Sequence, residues 1–404
     1  LLLQPQSCAN RGPCPYLDEE MPMLRFAVLA AAALATGTAS AETLTIGINA
    51  TLSGAGAVFG EGMALAATNF ADEVNAKGGL KVGDKAYTIE LRKYDDRYRA
   101  QDAVTAMERL ILEDKVKYVV GPMGSASTLA TQARTNGDKV LTLTMAFTPK
   151  ALSPQLPFSF RPAITTAEFT GPQLAWLGKT LALKRVRALE PNDETGQSVA
   201  ASQKEAYAAI GVNLEADFFE RERVDFIPIL TRALAQADAL EIGGNSPTTA
   251  GLLVKQAREL GYKGPILVTG GDVTAELVKV AGKQAAEGVY VHLPIDLSKR
   301  ETADYIKAFE GKFKQPANGH NLFIYSGLQM LTAAMQKAGT VDDTAKVAKE
   351  LEALSSFPTV LGSASWTGEK RYGVNHQIDV PFYVGQIKDG VATKVATCNV
   401  SACN

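Results

Sequence analysis

The chain is poor in the residues that announce most chemistries. Its 3 histidines, His292, His320 and His376, are too widely spaced for a zinc-binding H-E-x-x-H. Its 4 cysteines form no C-x-x-C, and no G-x-S-x-G supplies the nucleophile elbow of an α/β hydrolase. Charge of one sign is missing too. Lys plus Arg (41) nearly balance Asp plus Glu (43), and a net charge of −2 offers nothing to nucleic acid or an anionic membrane. No Pro/Ser-rich or low-complexity tract divides the chain. What remains is an ordinary globular composition, 46% hydrophobic and 21% charged, in 404 residues, a length suited to two domains.

Residues 1–41 read as an upstream extension followed by an export signal. Leu1–Glu20 has no clear periodicity, and we expect initiation at Met21 or Met23. Met23-Leu24-Arg25 is a positive n-region, Phe26–Ala35 an apolar h-region, and Ala39-Ser40-Ala41 an A-x-A site, so cleavage is expected after Ala41. A membrane anchor is the alternative, but the run is short and Ala-rich. Export implies an oxidising compartment. The cysteines left, Cys398 and Cys403, form either a small terminal disulfide or two free tail thiols.

The mature chain is organised around KYVVGPMGSAST, Lys117–Thr128. Tyr118-Val119-Val120 predicts a short buried strand ended by Gly121-Pro122; Ala126–Thr135 predicts a helix closed by Asn136-Gly137. A strand turning into a helix with a hydroxyl-rich first turn is an anion site, because free N–H groups and the positive end of the helix dipole face the ligand. Ser125 as a plain N-cap is the other reading. Around this unit strands and helices alternate. Strands are predicted at 43–48, 88–94, 140–144, 185–189, 215–219, 239–242, 266–268 and 288–291, and helices at 62–75, 101–113, 196–210, 226–236, 248–260 and 274–281. Repeated βα units demand parallel sheets covered on both faces, and there are too many strands for one sheet. We therefore expect an α/β chain of two doubly wound parallel-sheet lobes, divided near Arg161–Thr165. Ligands bind at the carboxyl ends of such strands, which points to the loops at 49–60, 95–99, 121–128, 145–149, 191–197, 243–248 and 269–273.

At this point the residues resemble a known family. LTIGINATLSGAGAVFGEG, LRKYDDRYRAQDAV, VKYVVGPMGSAST, LTLTMAFTPKALSPQLPFSFRPAIT, ADALEIGGNSPTTAGLLVKQARELGYKGPIL and FYVGQIKDG, in this order over 43–390, are similar to type I periplasmic solute-binding proteins of the leucine/isoleucine/valine-binding group, which serve ABC importers. The resemblance implies two lobes joined by three hinge crossings near 158–164, 290–294 and 379–382. Lobe one is then 43–164 plus 293–378, and lobe two 165–292 plus 379–398. It implies a periplasmic monomer that hands a small carboxylate to an inner-membrane permease and ATPase complex and uses no cofactor or metal.

The same resemblance names site residues. Ser125 and the Ala146-Phe147-Thr148 loop hold the ligand carboxylate through neutral donors. Phe59 packs on the ligand body. The chain then departs from the family. Thr195 and Asn245 stand where the family has aromatics, and His320 falls at an aromatic wall position. The acidic partner of a ligand ammonium falls near Gly270-Gly271, with Asp272 close by. An ammonium buried without a carboxylate is too costly for a receptor. Either Asp272 enters the cleft and the ligand is an apolar amino acid, or the ligand is an aromatic or 2-oxo acid lacking the ammonium; the residues lean to the second. Two enzyme readings are weak. Gly54, Gly56 and Gly60 are misspaced for a dinucleotide site, and Asp95-Asp96 caps a turn more readily than it catalyses. A sensor that reports ligand to a membrane receptor is the competing non-enzymatic role.

Overall fold

In a computed structural model of the protein, residues 42–54 and 56–404 are described. The expected extension, signal and cleavage point lie outside them. The strands are β1 (Glu42–Ala50), β2 (Leu80–Val82), β3 (Lys85–Asp95), β4 (Tyr118–Met123), β5 (Leu141–Met145), β6 (Ser159–Phe160), β7 (Arg185–Pro191), β8 (Asn213–Phe219), β9 (Ala239–Glu241), β10 (Ile266–Val268), β11 (Tyr290–Leu293), β12 (Phe357–Thr359), β13 (Gly362–Thr367), β14 (Gln377–Asp379), β15 (Phe382–Lys388) and β16 (Val391–Cys398). They form a six-stranded sheet, β2-β3-β1-β4-β5-β6, a seven-stranded sheet, β16-β15-β11-β10-β9-β7-β8, and a small sheet, β12-β13-β14. The runs β3-β1-β4-β5-β6 and β8-β7-β9-β10-β11 are parallel throughout. The two large sheets are the cores of two α/β lobes.

Central strands are buried on both faces, which is why they read as continuous apolar runs rather than alternations. Ile46, Ile48, Tyr118, Val120, Leu141 and Leu143 fill the first core, and Leu189, Leu240, Ile242, Ile266 and Val268 the second. Two local differences from expectation have simple causes. Gly83-Asp84 turns Leu80–Val82 back onto β3, so the strand expected at 88–94 starts three residues earlier as half of a hairpin. β4 does not stop at Gly121 but runs through a cis Gly121-Pro122 bond to Met123, which pairs with Met145.

The chain passes between the large sheets three times. β6 belongs to the first and β7 to the second. After β11 it returns to helices Arg300–Phe313 and Gly319–Ala338, which are tied to the first lobe by Asn321 Nδ2 to Gly62 O (2.6 Å), Tyr325 OH to Glu73 Oε2 (2.6 Å) and Lys312 Nζ to Asp72 (2.8 Å). β14 then leads across Val380-Pro381 into β15. At the far end Cys398 and Cys403 are joined as a disulfide. No helix among the described residues is long and apolar enough to cross a membrane.

Phe160 closes β6 at the first passage, fully buried, stacked on His376 (3.9 Å between ring centroids) and edge-on to Trp366 (5.2 Å). Phe160→Ala is expected to lower unfolding stability by about 3–5 kcal/mol, read from urea denaturation. A loss below about 1 kcal/mol means this junction is not packed as described.

Candidate ligand-binding site

Each parallel run reverses direction at one point, between β1 and β4 in the first sheet and between β7 and β9 in the second. There the outgoing loops splay apart and leave a crevice beyond the strand ends. The two crevices face each other across a narrow cavity. Gly56 and Phe59 after β1 and Gly124 after β4 line it from one side. Thr195 after β7 and Gly243–Ser246 after β9 line it from the other. Tyr98, Met123, Met145, Phe147, Arg221 and His320 complete the wall. A smaller adjoining gap shares Met145, Phe147, Gly271 and His320 and adds Asp272, His292 and Phe323.

The seam between the lobes is made of hydroxyls. Thr195 Oγ1 accepts the Ser125 N–H (3.3 Å) and lies 2.8 Å from Tyr98 OH. Ser125 Oγ accepts the Thr148 N–H (3.1 Å), and Thr148 Oγ1 donates to Glu194 Oε1 (3.3 Å), which Lys150 also reaches (3.1 Å). Ser125, Ala146 and Thr148 are fully buried and sit behind the cavity wall rather than on it, whereas Phe59, Phe147, Thr195, Asn245 and His320 are on the wall. Ser125 opens helix Ser125–Gly137 without capping it, because Gly124 is the N-cap. Gly124 has φ +86°, and a Cβ there would meet the Tyr98 ring at 2.7 Å, so only glycine lets Tyr98 fold across the helix start.

The Ala146–Thr148 loop is held from behind. The fully buried Arg161 donates from Nη1 to Ala146 O (3.1 Å) and Thr148 O (3.0 Å), and from Nη2 to Tyr372 OH (2.7 Å); Tyr372 OH donates in turn to Glu168 (2.6 Å). With the Ala146 carbonyl turned to Arg161, the trans peptide points the Phe147 N–H the opposite way.

Asp272 lines the adjoining gap and not the main cavity. Its Oδ2 accepts the Gly319 N–H across the seam (3.1 Å) and its Oδ1 the Thr274 N–H (3.4 Å). Burial raises its pKa, while these two donors oppose the rise. The Asp95-Asp96 pair braces a turn. Asp96 accepts from Thr51 Oγ1 (2.6 Å), and Asp95 from Leu52 N (2.8 Å) and Ser53 Oγ (2.6 Å).

Tyr98 and Arg221 were not singled out from the sequence. Tyr98 falls in a flagged strand-end loop, 95–99. Arg221 follows β8, whose carboxyl-end loop is not among those the sequence points to. The guanidinium instead turns inward, paired with both Asp193 oxygens and lying 4.5 Å from the Tyr98 ring centroid.

Behind Gly243-Gly244 lie two fully buried glutamates. Glu190 accepts from Gly244 N (2.6 Å) and Gln203 Nε2 (3.1 Å), and Glu241 from Thr269 N (3.0 Å). Burial pushes the Glu241 carboxyl up to about 8, and burial together with the neighbouring Glu241 charge lifts Glu190 well above the usual range. His320 stacks on Phe59 (4.2 Å), and burial lowers its pKa to about 3, as it does for His292.

Among described residues no group of three or more His, Cys, Asp or Glu is arranged to hold a metal. The family model for periplasmic binding proteins matches residues 43–392. The chain belongs to that family. A Pseudomonas aeruginosa protein named amino acid binding protein is 31% identical over 332 residues, covering 80% of this chain and 86% of the relative. The Leu/Ile/Val-binding protein of Escherichia coli is 27% identical over 335 residues, covering 81% and 88%. Among solved structures, a leucine binding protein from Thermotoga maritima aligns with a TM-score of 0.79 at 22% identity, over 88% of this chain and 99% of that one. A solute binding protein of an ABC transporter from Rhodopseudomonas palustris, in complex with benzoate, aligns with a TM-score of 0.76 at 18% identity, over 90% and 97%. The fold of this periplasmic binding protein is thus the two-lobed type I architecture.

Two predictions follow from the geometry of this binding protein. Thr195→Val removes the acceptor of the Ser125 N–H and the partner of Tyr98 OH, weakening lobe contact by about 1–2 kcal/mol. Small-angle scattering should then give a larger radius of gyration than wild type; an identical radius means the hydroxyl seam does not hold the lobes together. The second concerns pH. Between the ordinary value of 4.5 and about 8, the folded chain keeps a proton on Glu241 that the unfolded chain releases, so stability falls as pH rises. The buried histidines act in the opposite sense, but only below their ordinary 6.5, where the unfolded chain binds protons that the fold refuses. From pH 6.5 to 8 the carboxyl pair therefore dominates, with a slope of up to about 1.4 kcal/mol per pH unit per group. Glu241→Gln should reduce that slope in urea unfolding; an unchanged slope means Glu241 is ionised in the fold.

Proposed function

We propose that the protein is the exported, non-enzymatic receptor of an ABC importer. In this reading it captures a small carboxylate lacking an ammonium, an aromatic or 2-oxo acid, between its lobes and delivers it to a membrane permease. The carrying observation is the charge of the cavity wall. Among the described residues that line it, the one charged side chain is Arg221, already paired with Asp193, and none is a carboxylate. Asp272 is engaged by backbone N–H groups at the adjoining gap, and Glu190 lies behind Gly244 with its pKa raised toward the neutral form. A ligand ammonium in the cavity meets no anion, whereas a carboxylate meets donors.

The mechanism uses the seam. With the lobes apart, Thr195 and Glu194 withdraw from Ser125 and Thr148; the ligand carboxylate then docks at the start of the Ser125–Gly137 helix, where N–H groups and the dipole favour an anion, and Ser125, the freed Thr148 hydroxyl and the Phe147 N–H supply further donors. Thr195 Oγ1, which accepts the Ser125 N–H, occupies the place a carboxylate oxygen takes in this scheme. Phe59, Phe147, Met123 and Met145 pack the ligand body, and Thr195, Asn245 and the 269–272 loop close from lobe two. Hinge motion about the three passages divides lobe one (43–164 and 293–378) from lobe two (165–292 and 379–398). Closure excludes water, strengthens the polar contacts and presents a surface that the permease reads as loaded.

The second reading, an apolar amino acid with Asp272 as ammonium partner, is favoured by the names of the Pseudomonas and Escherichia relatives. A thermal-shift panel separates the two. Phenylpyruvate, 4-methyl-2-oxopentanoate and benzoate are compared with phenylalanine, leucine and valine. A ligand at 100 times its dissociation constant adds about 2.7 kcal/mol of stability. We expect shifts from the acids lacking an ammonium; shifts from the amino acids alone overturn the reading in favour of the second.

A further inference from the structure

Two buried polar atoms on the cavity wall have no partner among the described residues: Asn245 Oδ1 and His320 Nδ1. Asn245 is 4% exposed and His320 8%. The amide orientation of Asn245 is set by chemistry. Its Nδ2 donates to two carbonyls of the second sheet, Leu189 O (2.8 Å) and Ile242 O (3.2 Å), so the other amide atom must be the oxygen. The planar amide turns that oxygen away from those carbonyls, at a residue that lines the cavity. An amide oxygen only accepts, and a buried acceptor left unpaired is costly. Whatever fills this end of the cavity must therefore carry a donor.

The donor is neutral. Among the described residues the wall holds no carboxylate, and the charge of Arg221 is taken up by Asp193, so a ligand cation would lack a partner. Elsewhere on the wall the imidazole of His320, stacked on Phe59 and held neutral by burial, offers a further nitrogen that either donates or accepts according to tautomer. A hydroxyl, which donates and accepts at once, suits both atoms. We infer that the ligand is a hydroxylated organic acid, its carboxylate at the seam and a hydroxyl on its body donating to Asn245 Oδ1. This rests on the carboxylate reading above and sharpens it: Asn245, in place of an aromatic wall, makes the site selective for a polar substituent.

The test compares matched acids by calorimetry on the wild-type mature chain: benzoate with 3- and 4-hydroxybenzoate, and phenylpyruvate with 4-hydroxyphenylpyruvate. At least one hydroxylated member should bind about tenfold or more tighter than its parent, since a site built to pair a hydroxyl rejects the analogue lacking it. In Asn245→Leu, checked for folding by circular dichroism, the ratio should collapse toward one. Because Nδ2 also braces the second sheet, the wild-type ratio is decisive if that variant does not fold. Parents that bind as tightly as, or more tightly than, every hydroxylated partner overturn this inference and leave the carboxylate reading standing. Binding by none of the acids, alongside binding of amino acids, overturns the carboxylate reading and this inference with it.

Discussion

A guanidinium with no access to solvent stands at the centre of this molecule. Arg161 lies at the first passage between the sheets, and its donors go to Ala146 O and Thr148 O on one side and to Gln377 and Tyr372 on the other. Removing a charge from water is expensive unless its hydrogen bonds are met, and here carbonyls, an amide and a phenol linked to Glu168 meet them. The same cation therefore shapes the loop at the seam and fastens β14, the strand that leads into the third passage. Loop position and hinge geometry are not independent variables in this fold.

Around that fixed point the architecture is a doubling. The five-stranded parallel runs of the two lobes have the same strand order, hence the same crevice, and the two crevices open toward one another. The first contributes a helix start rich in hydroxyls and backbone donors. The second contributes glycine-rich loops, and the close approach of Gly270 to Gly243, where a Cβ would lie 1.6 Å from the carbonyl oxygen, keeps them compact. Polar matching at the seam mixes neutral hydroxyls around Thr195 with carboxylates, Glu194 reached by Thr148 and Lys150 and Asp272 by the Gly319 N–H, and the charged pair Arg221–Asp193 lies beside them.

Much of the fold could be read in the sequence because buried parallel strands are short apolar runs between turn signals, and because helices Thr274–Ala281 and Pro247–Glu259 keep a clear apolar stripe. The loops expected at the strand ends carry Phe59, Phe147, Thr195 and Asn245 to one cavity through that same regularity, and His320 joins them from the first turn of the Gly319–Ala338 helix. Arg161 and Arg221 were not legible. A single arginine looks the same in a sequence whether it points to solvent or is buried by tertiary contacts distant in the chain, such as Gln377 with Arg161 and Tyr98 with Arg221. The position of Asp272 was likewise open, because one residue of loop register decides whether its carboxylate meets a ligand or the start of the Gly319–Ala338 helix.

Two methionines, Met123 and Met145, form part of the wall and are paired across adjacent strands at the carboxyl end of the first sheet. An unbranched thioether bends around whatever it touches at little conformational cost, and its polarizable sulfur is at home against an aromatic edge. A wall of this kind does not discriminate sharply between hydrocarbon outlines. Under the proposed function, tolerance of bulk and strictness about polarity fall to different parts of one chamber, which would sort a mixed diet by functional group before it sorts by shape.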